Sequence, residues 1–186
     1  MVRGMSQEVI DRTTTLVQGF DARVSATPSD AWSKPAPCDG WTARDVVCHV
    51  TNNLFRMSEG MGAGAAREVG ADEDITTAWH EARDRFLDAL PSADMTANMP
   101  GPFGPMPAEQ MIGRIISTDV LVHTWDLARA VGGDEHLPED AVEGAYSGLK
   151  PLDAMIRMPG VFGPKVEPPA GADTQTEFLC FLGRSV

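Results

Sequence analysis

The chain has 186 residues, about one domain's worth, of which 42% are hydrophobic, enough for a core and too many for a wholly disordered protein. Its 27 acidic and 15 basic residues give a net charge of −12 at pH 7, so nucleic acid and anionic lipid are poor partners. Three cysteines with no C-x-x-C pair exclude a disulfide framework, and no apolar run approaches a signal peptide or a membrane span. The expectation is a soluble cytoplasmic protein, one domain over residues 1–186.

Helical periodicity dominates the chain. After Ser6, the residues Val9, Thr13, Leu16, Phe20 and Val24 recur every three or four positions, the stripe of an amphipathic helix that Pro28 ends. Trp32–Gly40 (WSKPAPCDG) is a loop by its prolines and glycine. Thr42 with Asp45 three residues later predicts a capping-box start for a second helix running to about Met57, with Val46, Val47, Val50, Leu54 and Met57 on its apolar face. The glycine-rich stretch Gly60–Gly70 has neither G-x-G-x-x-G nor a Walker lysine and reads as a mobile linker.

A third helix is predicted over Glu73–Leu90, with Ile75, Ala78, Trp79, Ala82, Phe86, Ala89 and Leu90 inward. Residues 91–107 hold five prolines and two glycines, an irregular crossing with one extended piece at Met95–Met99. A fourth helix has Pro107 in its first turn and stops after Val131 at Gly132-Gly133. A fifth follows Pro138 and should kink at Pro151. An extended tail, Gly160–Ala172, leads to a short helix, Thr174–Leu182, that packs FLCFL on the body. The fold class is all-α: a four-helix bundle with a short C-terminal helix and irregular loops.

The fourth helix carries charge where apolar residues belong. At about 100° per residue, His123 and Asp126 fall within about 40° of Asp119, among Ile112, Ile116, Leu127 and Ala130. A lone buried carboxylate is costly, so Asp119 needs a cation or donors. His123, one turn on, is spaced to share a metal ion with it. On the second helix His49 lies at the edge of the apolar face, with Asn53 one turn later. If the two helices are neighbours, His49, Asp119 and His123 form a three-ligand set with an open position, the pattern of a catalytic metal. The competing reading is an Asp119–His123 hydrogen bond inside the bundle with His49 a satisfied core histidine.

Asp126 is placed to orient a ligand histidine from behind, and Cys38 is placed at the mouth of the site. Trp125, Cys48, His80 and His136 read as packing or surface residues.

The stretches PCDGWTARDVVCHVTNNL, TDVLVHTWDLARAVGG and FGPKVEPPAGADTQTEFLCFLGR together resemble the DinB/YfiT-like metal-binding superfamily. The resemblance is closest to its actinobacterial branch, related to the metal-binding domain of mycothiol-dependent maleylpyruvate isomerase. It implies a DinB-like four-helix bundle, often a homodimer, with a divalent metal on His49, Asp119 and His123. Many relatives have Glu where this chain has the shorter Asp119. Zinc is the first choice of ion, with nickel, iron or manganese as alternatives. Since a coordinated thiol is deprotonated near neutral pH, the implied activity is transfer of a small thiol, of the mycothiol type, to an electrophilic small molecule. Alternatives are a metal-dependent hydrolase, dioxygen chemistry at iron, or a non-catalytic bundle that binds a metal or small ligand.

Overall fold

The computed structural model describes residues 2–101, 104–157 and 161–186, with side chains from Ser6 onward. Pro102 and Phe103 of the predicted crossing, and Gly160 at the predicted start of the tail, lie outside the described residues.

Helix α1 (Val2–Ala26) begins earlier than the sequence signal at Ser6. The Ser6 hydroxyl donates to Glu109 Oε1 at 3.1 Å instead of capping a helix start. Leu16, Val17, Phe20 and Val24 are buried along its inner face. Helix α2 (Ala43–Gly60) starts on the predicted capping box: Thr42 Oγ1 accepts from the Asp45 amide, and Asp45 Oδ2 accepts from the Thr42 amide at 2.8 Å. Helix α3 (Ile75–Ala89) is capped by Asp74 and buries Ile75, Ala78, Trp79, Ala82 and Phe86.

The extended piece is present as β1 (Asn98–Met99), antiparallel to β2 (Met106–Pro107), with Asn98 opposite Pro107 and Met99 opposite Met106. The predicted fourth helix is not continuous. A single turn, α4 (Ala108–Gln110), passes through a π-helical segment, Met111–Ile116, into α5 (Ser117–Val131). The wider π turn is held by its neighbours: Ser117 Oγ donates to the Ile112 carbonyl at 2.9 Å, and Arg12 donates to the Gly113 carbonyl at 3.0 Å. A Cβ on Gly113 would stand 3.1 Å from both Val9 methyl groups, so a glycine lets α1 lie close against this segment.

Helix α6 (Glu139–Leu149) breaks at Pro151 as predicted. A 3₁₀ turn, Lys150–Leu152, follows it, and then the short α7 (Asp153–Ile156). Helix α8 (Thr174–Phe181), capped by Asp173, packs on α6 and buries Phe178, Leu179 and Cys180.

Helix α1 meets α5 and α3, whereas α2 meets α3 and α5. The four long helices therefore ring the core in the order α1, α3, α2, α5, with α1 and α2 on a diagonal. This arrangement sets α2 directly against α5, the condition for His49 to meet Asp119. No helix among the described residues is long and apolar enough to cross a membrane.

The glycine-rich segment is tied down rather than free. Val69 N–H donates to Asn52, Arg44 donates to the Gly70 and Glu73 carbonyls, and Arg85 donates to the Ala65 carbonyl. Arg67 and Arg85 also lie 4.5 and 4.8 Å from the centre of the Phe55 ring. Glycine frequency gave no sign of these arginine anchors, each supplied by a different part of the chain.

Candidate metal centre

Helix α2 supplies His49 and Asn53 one turn apart, and α5 supplies Asp119, His123 and Asp126 on one face. The ring nitrogen His49 Nε2 lies 3.0 Å from Asp119 Oδ1, and His123 Nε2 lies 3.5 Å from the same oxygen. One donor atom from each of the three residues lies within 4.8 Å of the others. A tetrahedral zinc site with bonds of about 2.0–2.1 Å has edges of about 3.3–3.4 Å, so these two separations lie on either side of the spacing an ion requires. The shorter Asp119 side chain thus reaches both histidines.

Hydrogen bonding among these residues leaves two groups competing for His49 Nε2. His49 Nε2 is approached at 3.0 Å by the acceptor Asp119 Oδ1 and also at 3.0 Å by the amide nitrogen of Asn53. Arg56 donates to Asn53 Oδ1 at 2.9 Å, which turns the Asn53 NH2 toward His49 and Asp119. A proton on His49 Nε2 suits the carboxylate and opposes the amide; a lone pair suits the amide and opposes the carboxylate. Either a proton or a cation on His49 Nε2 makes the contact with Asp119 Oδ1 favourable. Either also leaves the Asn53 NH2 donating to Asp119 Oδ2 at 3.1 Å. Two imidazole nitrogens and a carboxylate oxygen converging from two helices are donors of the kinds zinc takes, so the residues present fit a divalent ion.

Behind these three residues, His123 Nδ1 lies 2.9 Å from Asp126 Oδ2, which also accepts from Cys38 Sγ at 3.3 Å and from Arg184 Nη2 at 2.7 Å. Cys38, His123 and Asp126 form a second group of donor atoms within 4.8 Å. Arg184 already neutralises Asp126 and would repel an ion there, so the group serves as support for His123. Side-chain exposure falls from 34% at His49 to 22% at Asp119, 9% at His123 and zero at Asp126. A ligand entering the site meets the His49 and Asp119 side first.

Electrostatics follow from this stacking of charge. Burial alone would raise the Asp119 carboxyl, but His123 and His49 outweigh it and hold Asp119 well below the usual carboxylate range. Burial alone would lower His123, yet Asp119 and Asp126 hold it well above its ordinary value. Burial would likewise raise Asp126, which His123 and Arg184 bring down to about 2. The metal-free protein therefore keeps a proton on His123 at neutral pH. Zinc uptake at pH 7 should release it, measurable as a titration enthalpy that changes with the ionisation enthalpy of the buffer.

Two residues of the site escape sequence reasoning. Trp41 sits over both histidines, its ring centre 5.1 Å from that of His49 and 5.8 Å from that of His123, nearly parallel to the latter at 19°. Its signal is position: an aromatic residue just before Thr42, which caps the helix that carries His49. The turn is closed by Ala36 N–H to the Trp41 carbonyl and Trp41 N–H to the Cys38 carbonyl, with Gly40 at φ +75°. Arg184 is the other, and its signal is the buried Asp126, which needs a cation.

The loop 32–40 thus reaches the site through Cys38. The described part of 91–107 instead meets the far end of α2, where Met99 covers Gly60, about 16 Å along the helix from His49 at 1.5 Å per residue. His136 is exposed, His80 points to Asp21 at 3.6 Å, and Cys48 is half-buried beside Arg44. None of them joins the site.

A helical bundle presenting two histidines and one carboxylate from two adjacent helices defines a class of candidate metal-binding bundle proteins. The chain belongs to the mycothiol maleylpyruvate isomerase N-terminal domain family, whose model matches residues 14–128. It is 32% identical over 171 residues to an uncharacterised protein of Mycobacterium tuberculosis, covering 90% of this chain and 92% of that one. That relative is MT0763 in strain CDC 1551 / Oshkosh and Rv0738 in strain ATCC 25618 / H37Rv. The crystal structure of the mycothiol-dependent maleylpyruvate isomerase superposes with a TM-score of 0.62 at 15% identity, over 82% of this chain and 70% of that one. A histidine-to-alanine mutant of the same enzyme gives 0.65 at 13% identity, over 81% and 72%. At these identities the likeness is one of fold, and it agrees with the all-α, DinB-like bundle expected from the sequence.

Proposed function

We propose that the chain, as one domain over residues 1–186, holds a divalent ion, zinc first, on His49, Asp119 and His123. On this reading it is a metal-dependent transferase that moves a small thiol of the mycothiol type onto an electrophilic small molecule. The observation that carries the metal is the convergence of one donor atom from each of His49, Asp119 and His123, from two helices, within 4.8 Å of one another. The thiol is supported by family membership, since the family and the solved neighbours are named for mycothiol.

A bound ion of this kind would hold a coordinating thiol as the thiolate at neutral pH. The protein's own groups have separate tasks. Asp126 keeps a proton on His123 Nδ1, so Nε2 faces the ion. Asn53 holds the second oxygen of Asp119. Trp41 covers the histidines with an apolar wall, leaving the more exposed His49 side for thiol and electrophile. The same reading places the protein in the cytoplasm and allows a homodimer.

The test is turnover of a panel of epoxides, halides and activated alkenes with mycothiol, with and without chelator. The expected result is product formation that requires both thiol and metal. Turnover by water without thiol would point to a hydrolase, and metal bound without any turnover to a binding protein. Either result overturns the transferase reading.

A further inference from the structure

We infer that Arg184 is a positioning residue for His123, acting through Asp126; the inference rests on the metal reading above. The two ring nitrogens of His123 have opposite tasks. Nε2 faces Asp119, so the proton belongs on Nδ1 and needs an acceptor there. Asp126 is that acceptor, but a carboxylate with no exposed side-chain surface keeps its charge only beside a cation. Arg184 provides it in forked form, Nε to Oδ1 at 3.2 Å and Nη2 to Oδ2 at 2.7 Å. The same guanidinium donates from Nη1 to the Leu182 carbonyl at 3.1 Å, and Nη2 lies 3.6 Å from Cys38 Sγ. Its plane is thereby fixed on three sides.

The chain delivers Arg184 to this place by a specific turn. Beyond α8, Gly183 N–H donates to the Cys180 carbonyl and Arg184 N–H to that of Leu179. Gly183 has φ +87°, and a Cβ there would come within 2.8 Å of the Pro164 carbonyl oxygen. Only glycine fits, and the left-handed residue turns the chain so that Arg184 reaches α5, 58 residues earlier in sequence. The buried FLCFL run anchors this turn, and the arginine joins it to the metal ligand.

The experiment uses the full chain, chelator-treated, with Zn²⁺ alone as probe in competition with a chromophoric chelator. Arg184→Ala should weaken zinc about 10–100-fold, the range for losing support behind a ligand, and added guanidinium ion below unfolding concentrations should restore part of it. Arg184→Lys keeps the charge without the fork and should fall between; if Arg184→Ala does not fold, this variant gives the reading. Arg157→Ala, which loses a bond to the Phe181 carbonyl but does not touch Asp126, should bind zinc as wild type does. A second readout needs no metal: the slowly exchanging His123 Nδ1–H proton resonance should vanish in the Arg184 variants. Wild-type zinc affinity with that resonance intact in a folded Arg184 variant would overturn the inference. If wild-type protein takes up no zinc, the metal reading fails instead, and the resonance alone decides whether Arg184 holds His123.

Discussion

His49→Ala should abolish tight zinc binding as completely as His123→Ala, while His80→Ala and His136→Ala leave it unchanged. The reason is geometric. Asp119 and His123 lie one turn apart on α5 and offer two ligands, too few to hold a divalent ion tightly against water. His49 is the candidate ligand on α2, and its Nε2, 3.0 Å from Asp119 Oδ1, would close the chelate between helices. His80 and His136 are the other two histidines of the chain, and neither lies in the site. Equilibrium dialysis against zinc with metal analysis of each variant measures the effect. Full occupancy in His49→Ala would remove α2 from the site.

The second large effect is on stability. Asp126 is completely buried and accepts from His123, Arg184 and Cys38. Asp126→Ala leaves the Arg184 guanidinium and the His123 ring in the interior without their carboxylate. Breaking a buried pair from one side costs about 3–5 kcal/mol, which for a chain of this size lowers the melting temperature by roughly 6–20 °C. Asp126→Asn keeps the shape and isolates the charge. Because the folded protein holds Asp126 down to about 2, below the ordinary value of about 3.9, the charge stabilises fully above about pH 4. That contribution is lost as pH falls through about 2. The stability gap between wild type and Asp126→Asn in metal-free protein should therefore narrow on going from pH 5 to pH 2. A gap that stays constant would show that the carboxylate charge contributes nothing.

Much of this arrangement is legible in the sequence because it depends on local periodicity and on the cost of burying charge. The stripe on α1, the capping box of Thr42 and Asp45, the break at Pro151 and the packing of FLCFL all follow from spacing and residue type. So does the choice of Asp119, His123 and Asp126, three ionisable groups on an apolar face. What spacing does not carry is contact between distant segments. The π-helical segment depends on Thr13 and Arg12 of α1, since Thr13 Oγ1 meets Ser117 Oγ at 2.9 Å and Arg12 takes the freed Gly113 carbonyl. The glycine-rich segment is fixed by arginines from α2 and α3. Trp41 and Arg184 reach the site from a loop and from beyond α8, so no helical pattern marks them. The buried Asp126 did demand a cation, but of the twelve arginines the sequence offers, only the fold selects Arg184.

The central claim is that His49, Asp119 and His123 together hold one divalent ion. Its most direct test is calorimetric titration of Zn²⁺ into chelator-treated protein purified without a metal-binding tag. The account predicts uptake of one ion per chain, with proton release at pH 7 and loss of the binding isotherm in His49→Ala. Absence of saturable uptake in correctly folded wild-type protein would contradict it, and would leave the three residues as a hydrogen-bonded cluster within the bundle.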